Sequence, residues 1–366
     1  MKLSGHQDWQ EDWVLKIAQV APLYESVPPT AYGGTERVVS WITEELVKQG
    51  HEVTLFASGD SITNARLVSP IAKALRLDSS SVDSMAPHIL AIEQVARMAD
   101  QFDIIHYHLD YLHFPTSRLR KCNQVTTLHG RLNIPELKPL YREFREMAVV
   151  SISDNQRNSL PYANWVGTVY HGMPKNLLTF VEKPKDYLLF LGRIAPEKGT
   201  VEAIEIAIRA GREIKIAAKV DSADRDYFNR EVRPLLRDPL VDFVGEVTLP
   251  VKNELLGGAK ALIFPINWPE PFGLVMIEAM ACGTPTIAFN RGSVPEVLED
   301  GRTGYIVENI DEAVSSLGKI DDFDRGSCRE IFEQRYSVEK MVAGYLEVYE
   351  NTIRSSSQSK NQIISI

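Results

Sequence analysis

Cysteine is scarce in this chain. Three are present in 366 residues, Cys122, Cys282 and Cys328, far apart and odd in number. No Cys-x-x-Cys pair or metal-ligand spacing exists, so reduced, mostly buried thiols in a reducing compartment are expected, hence a cytoplasmic protein. No run of about eighteen apolar residues occurs, so no transmembrane span is expected and only peripheral membrane contact stays open. The polar, acidic segment 1–13 does not read as a secretory signal. Long basic runs are also missing. With 40 Lys and Arg against 49 Asp and Glu, the net charge is −9, which argues against nucleic acid but not against a local pocket for a small anion. The glycine fingerprint G-x-G-x-x-G is absent. Ala57-Ser58-Gly59 stands where a dinucleotide fold places an acidic residue, so a dehydrogenase is disfavoured.

What is present is alternation. Apolar runs at 14–21, 51–57, 102–108, 124–130, 147–153 and 165–170 read as strands of a parallel sheet, with helical patterns at 38–48, 71–75, 87–100 and 154–160 between them. Residues 177–186 look like a linker. The pattern then restarts, with strands at 187–192, 214–220, 241–245, 261–265, 286–289 and 303–307. Helices are expected at 201–210, 226–237, 253–257, 274–282, 293–298 and 310–317. The length suits two domains. The fold expected is α/β, with two doubly wound halves of like architecture and no repeat in sequence. An apolar stripe of Met341, Tyr345, Val348 and Tyr349 marks a last helix over 338–353, with a frayed end from 355 onward.

Four stretches carry candidate chemistry. Gly33-Gly34 lies at a loop-to-helix junction after the first strand, where backbone can approach a ligand closely; a plain turn reads the same way. Gly192-Arg193 and Lys198-Gly199 lie between a strand and a helix and would cradle a pyrophosphate; a surface loop with ordinary salt bridges has the same pattern. In Pro269-Glu270-Pro271-Phe272-Gly273-Leu274, two prolines hold the chain out of helix until Phe272. Glu270 then precedes a helix and Glu278 lies within it; a core helix with two surface glutamates has the same local pattern. His106, His108 and Asp110 end one strand and invite a metal reading. No further ligands accompany them, so a polar cluster facing a substrate is preferred.

Taken together, Gly33-Gly34-Thr35-Glu36-Arg37, Thr127-Leu128-His129-Gly130, Gly192-Arg193 with Lys198-Gly199, the Glu270/Glu278 pair and Arg335-Tyr336-Ser337-Val338-Glu339-Lys340-Met341 resemble glycosyltransferases of family four, bacterial type. The resemblance runs from about 15 to about 353 and implies the GT-B fold, two Rossmann-like domains facing a cleft. It implies an acceptor domain over 1–175, a linker over 176–186, a nucleotide-sugar donor domain over 187–335, and a helix over 338–354 crossing back onto the first. It implies transfer of a hexose, with retention, from a nucleotide diphosphate sugar to a hydroxyl acceptor, with uridine preferred as the base. Arg193 and Lys198 would bind the diphosphate, and Glu278 the ribose. Glu270 with Phe272, Gly273 and Leu274 would hold the sugar, His129 would position it, and Gly33 and Gly34 would approach the phosphates. Tyr32, His106, His108, Asp110 and Arg131 are acceptor-side candidates. No metal or other cofactor is implied. His171 stands where many relatives have Asn, which puts contacts there in doubt. The alternatives are a GT-B nucleotide-sugar epimerase and a non-catalytic sugar-nucleotide binding protein; the glutamate pair does not supply the acid and base an epimerase needs.

Overall fold

The computed structural model describes residues 14–30, 33–120 and 122–364. Segment 1–13 and Tyr32 lie outside the described residues, so the expectations placed on them are not addressed. The first half runs β1 (Lys16–Val20), α1 (Gly34–Lys48), β2 (Glu52–Phe56), β3 (Arg66–Val68), α2 (Met85–Met98), β4 (Ile104–Tyr107), α3 (Phe114–Leu119), β5 (Gln124–Thr127), α4 (Leu137–Glu143), β6 (Ala148–Ser151), α5 (Asp154–Arg157) and β7 (Asn164–Thr168). The second runs β8 (Leu188–Arg193), α6 (Thr200–Ala210), β9 (Ile214–Lys219), α7 (Arg225–Tyr227), β10 (Val241–Phe243), α8 (Leu249–Gly258), β11 (Ala261–Phe264), α9 (Leu274–Ala281), β12 (Thr286–Phe289), α10 (Val294–Val297), β13 (Gly304–Val307), α11 (Ile310–Leu317), α12 (Arg325–Arg335) and α13 (Val338–Ile364).

The strands make two sheets, ordered β3-β2-β1-β4-β5-β6-β7 and β10-β9-β8-β11-β12-β13, with every pairing parallel. Parallel strands buried on both faces are near-continuous apolar runs, as β11 is and β12 is beyond Thr286. In each sheet the strand order reverses once, between β1 and β4 and between β8 and β11. The loops beyond the carboxyl ends of those four strands form the two crevices in which doubly wound folds bind ligands.

Helix α13 closes the first domain. Tyr345 and Tyr349 are fully buried, and Tyr349 Oη accepts from Gln19 Nε2 of β1 at 3.1 Å. Backbone bonds from Met173 N to Tyr336 O and from Val338 N to Met173 O anchor its start. The buried cluster that includes Leu15, Ile17 and Val150 also includes Tyr345 and Tyr349.

Three expectations fail for identifiable reasons. No helix forms at 71–75, because its amides are spent elsewhere. Asp60 accepts from Ala74 N, and Leu75 N and Arg76 N bond the carbonyls of Leu23 and Tyr24. The helix expected over 226–237 is broken into α7, a π turn at Phe228–Val232 and a 3-10 turn at Leu235–Arg237. Pro234 cannot donate within a helix, and the ladder ahead of it slips to Arg233 N→Phe228 O. The last helix does not fray at 355 but continues to Ile364, where Ser355 and Ser356 bond back to Asn351 O and Thr352 O. Strand β3 and helices α3, α4 and α12 were not anticipated.

Helix α12 supplies the main staple of the second domain. Arg325 is buried and meets no carboxylate among its hydrogen-bond partners. Its guanidinium donates to Val181 O (2.8 Å), Ala259 O (2.9 Å), Gly257 O (3.0 Å), Thr284 Oγ1 (2.9 Å) and Cys282 O (3.4 Å). Burial pulls its pKa down, but the five acceptors hold the charge in place. Arg325→Met should lower stability by about 3 kcal/mol, since several buried carbonyls lose their donor. Urea unfolding followed by tryptophan fluorescence checks this; an unchanged midpoint would refute it.

Candidate functional site

The site is built at the reversal point of the second sheet. Beyond β8, Gly199 adopts φ 74, and a methyl on it would lie 2.0 Å from Pro265 O, so only glycine lets the 193–199 loop pack on the end of β11. That packing puts Lys198 against the 265–273 loop. Its Nζ lies 2.6 Å from Glu270 Oε2 and 5.1 Å from the Trp268 ring centre. Trp268 Nε1 donates to the same carboxylate oxygen at 2.8 Å. Glu270 is also held by its backbone, whose carbonyl accepts from Ser293 N. Gly292 passes so close that a methyl there would meet Glu270 N at 2.3 Å.

Gly273, at φ 80, caps α9 without any side-chain hydrogen bond. The other end of α9 is tied down, because Arg329 Nη1 donates to Ala281 O at 2.9 Å and Arg325 to Cys282 O. Cations at the carbonyl end and an uncapped amide end leave the helix dipole directed at the loop containing Glu270. Glu278, buried inside α9, pairs with Lys252 of α8.

The first domain meets this loop with a second uncapped helix start. Gly33 caps α1 with no side-chain bond, and a methyl on Gly33 would sit 2.7 Å from Pro29 Cβ. A methyl on Gly34 would lie 3.7 Å from Leu274 Cδ1, so the amino ends of α1 and α9 face each other across a narrow cleft. Beside them runs a chain of histidines. His171 packs edge-on to Phe272 (4.9 Å between centres) and stacks on His129 (5.2 Å). His129 Nε2 lies 2.8 Å from His108 Nδ1, and His108 Nε2 lies 2.9 Å from Gln19 Oε1. The two domains are further clasped by Glu296 of α10, whose carboxylate accepts from Asp154 N (2.7 Å), Asn155 N (2.6 Å) and Tyr170 Oη (3.1 Å) of the first domain.

The expected residues divide accordingly. Lys198, Glu270, Phe272, Gly273, Leu274, Gly33, Gly34 and His129 converge on the cleft. His108 was expected to face a substrate but lies behind His129, buried, with both ring nitrogens committed to His129 Nε2 and Gln19 Oε1. Arg193 is turned instead toward acidic partners, pairing with Asp224 and with Glu197 (2.8 Å), with Asp221 at 4.0 Å. A diphosphate would have to compete with these carboxylates. His106 does not face a substrate. It is fully buried, with both ring nitrogens committed, 2.7 Å from Tyr349 Oη and 2.7 Å from Thr127 Oγ1. Those bonds, with those of His108, leave neither histidine an open nitrogen for a metal shared with Asp110. Asp110 holds a left-handed conformation (φ 51) and keeps solvent contact. The protein crowding its carboxyl nonetheless pushes its pKa up to about 6. Arg131 bonds Asn133 and reaches over the Trp268 ring at 6.0 Å.

Sequence reasoning missed Trp268, Lys252, Glu296 and Ser293. Trp268 had a signal, two positions ahead of Glu270 in the proline-bounded loop. Lys252 and Glu296 had none, because their partners are distant in sequence.

With this geometry in place, the chain can be set beside known proteins. Residues 32–161 match the family described as "Glycosyltransferase Family 4" and residues 179–323 match "Glycosyl transferases group 1". The chain belongs to the family-four-like glycosyltransferases of the GT-B fold. Among curated proteins, N-acetyl-alpha-D-glucosaminyl L-malate synthase of Bacillus anthracis is 26% identical, over 92% of this chain and 97% of that one. Alpha-maltose-1-phosphate synthase of Mycobacterium tuberculosis is 31% identical over 38% of each. Among solved structures, a glycosyltransferase involved in avilamycin A biosynthesis superposes with TM-score 0.71, at 22% identity, over 93% of this chain and 98% of that one. Anabaena HepE in complex with UDP and glucose gives 0.71 at 17% identity, over 92% of this chain and all of its own.

The buried histidines make a pH prediction. Burial holds His106, His108 and His171 well below the ordinary value, and His113 and His129 down to about 3. The unfolded chain takes up protons below about pH 6.5 while the folded chain does not. Their stabilising contribution is therefore complete above pH 6.5 and is withdrawn as pH falls toward the folded values, at about 1.4 kcal/mol per unit for each. Melting midpoints from pH 7.5 to 4.5 should fall steeply below 6.5, and less steeply in His113→Asn. A flat profile in the wild type would contradict this.

Proposed function

We propose that the protein transfers a hexose, with retention at the anomeric carbon, from a nucleotide diphosphate sugar to a hydroxyl acceptor. Uridine is the favoured base. The observation that carries the reading is the meeting of two uncapped helix amino ends, at Gly34 and Gly273, beside Lys198 and Glu270. Helix amino ends and a lysine suit phosphate oxygens, and a carboxylate fixed by tryptophan suits sugar hydroxyls. Binding of UDP and glucose by HepE, a protein of like fold, agrees with this choice of donor.

In this reading the diphosphate draws Lys198 away from Glu270, which frees the carboxylate for the sugar. Glu278, paired with Lys252, accepts from the ribose hydroxyls. Arg193 exchanges part of its acidic shell for phosphate oxygens. The bond between the anomeric carbon and the phosphate oxygen breaks as the acceptor oxygen bonds to the same carbon on the same face. The acceptor's proton passes to an oxygen of the departing diphosphate, so no protein base is needed. Lys198 and the helix ends stabilise the charge that builds on the leaving group.

Two tests follow. A thermal-shift panel of nucleoside diphosphates, then hydrolysis assays with the matching sugar donors, should single out UDP; no shift with any of them would overturn the reading. Lys198→Ala should lower turnover about 100-fold or more while the melting midpoint stays near that of wild type. Glu278→Ala should weaken UDP binding by about tenfold in calorimetry, as expected when a charged acceptor is lost. Wild-type affinity in that variant would remove Glu278 from the nucleotide site.

A further inference from the structure

The histidine chain continues past His108, and its hydrogen bonds have a direction. Gln19 presents Oε1 to His108 Nε2 at 2.9 Å and Nε2 to Tyr349 Oη at 3.1 Å. An amide oxygen only accepts, so His108 Nε2 carries the proton. His108 is neutral, because burial disfavours its charged form. Its Nδ1 is then a bare acceptor, and the 2.8 Å contact requires His129 Nε2 to donate. The same logic runs the other way from Gln19. Tyr349 accepts from the amide, so its hydroxyl donates to His106 Nδ1, His106 Nε2 donates to Thr127 Oγ1, and Thr127 donates to Tyr345 Oη.

The chain ends at His129 Nδ1. That atom is enclosed and has no hydrogen-bond partner in the protein. His171, stacked on His129, also leaves its Nδ1 unpartnered, and it is 4% exposed. Two buried polar atoms without partners, side by side and next to Phe272 of the cleft loop, call for groups the protein does not supply.

We infer that Tyr349, through Gln19 and His108, fixes His129 in the tautomer protonated at Nε2, so that Nδ1 is an acceptor for a hydroxyl of the bound sugar, with His171 beside it. Tyr349 and Gln19 are positioning residues that touch no substrate. The inference rests on the reading of the cleft as a sugar-nucleotide site. It adds that a tyrosine on the last helix sets the polarity of a histidine at the sugar.

The experiment is long-range 1H–15N correlation spectroscopy of the full chain, wild type against Tyr349→Phe, together with calorimetry of UDP and UDP-glucose binding. In wild type, His129 should show a protonated Nε2 and an unprotonated Nδ1. In Tyr349→Phe the Gln19 amide has no hydroxyl to choose between its two ends, so both His129 tautomers should appear. UDP-glucose affinity should fall about five- to tenfold, the scale of one hydrogen bond, with UDP affinity unchanged. A wild-type His129 protonated at Nδ1, or a spectrum unmoved by Tyr349→Phe, overturns the inference. So does a mixed-tautomer variant that binds UDP-glucose as wild type does. If no form of the protein binds UDP or UDP-glucose, the proposed function fails, while the spectra still decide whether Tyr349 sets the tautomer.

Discussion

Helix α9 is fastened at one end and bare at the other, and the site depends on that asymmetry. Arg325 and Arg329 occupy the carbonyls at its C-terminus, and Gly283, in a left-handed conformation, ends it. Its amino end has no side-chain cap. A capping side chain at position 273 would satisfy the amides that a ligand is meant to satisfy. It would also have to adopt φ 80 and would collide with Met276. Glycine there is thus a requirement of both geometry and chemistry.

Around that bare end the charges are paired among themselves. Lys198 holds Glu270, Lys252 holds Glu278, and Arg193 holds Asp224 and Glu197. Partly buried pairs of this kind gain little net stability, because desolvation offsets attraction. Their effect is to keep each side chain ordered. Under the proposed function, a charged ligand would exchange one set of partners for another without having to order flexible groups.

Much of the fold was legible because parallel strands advertise themselves. Runs such as Ala261–Phe264 and Thr286–Phe289 admit few other readings, and the glycine and proline punctuation around Gly273 and Pro271 located the loop that matters. The failures have physical causes. Ala74 and Leu75 look helical until Asp60 and Leu23 claim their amides. Asp226–Arg237 looks helical until Pro234 denies the ladder a donor. His106 looked like a residue for a substrate, but whether it faces outward depends on a helix that begins more than two hundred residues later. Arg193 has the right position, yet Asp221 and Asp224, which join Glu197 in holding it, come from a loop with no motif of its own. The pattern of elements follows from local chemistry, whereas the pairing of charges depends on which loops the topology brings together.

The return of α13 has a consequence for how the molecule is made. Val348 fills the space above Gly167, and Tyr345 and Tyr349 complete the hydrogen bonding of β1, β4 and β5. A ribosome releases residues 14–168 long before it makes residue 349. The domain synthesised first therefore waits, with His106 and Gln19 lacking their Tyr349 partner, until the second domain has been made and the last helix arrives. The two domains differ in birth order and finish in reverse. A nascent chain stalled before Tyr345 should carry a second domain complete in its own sheet and a first domain still open on the face that α13 will cover.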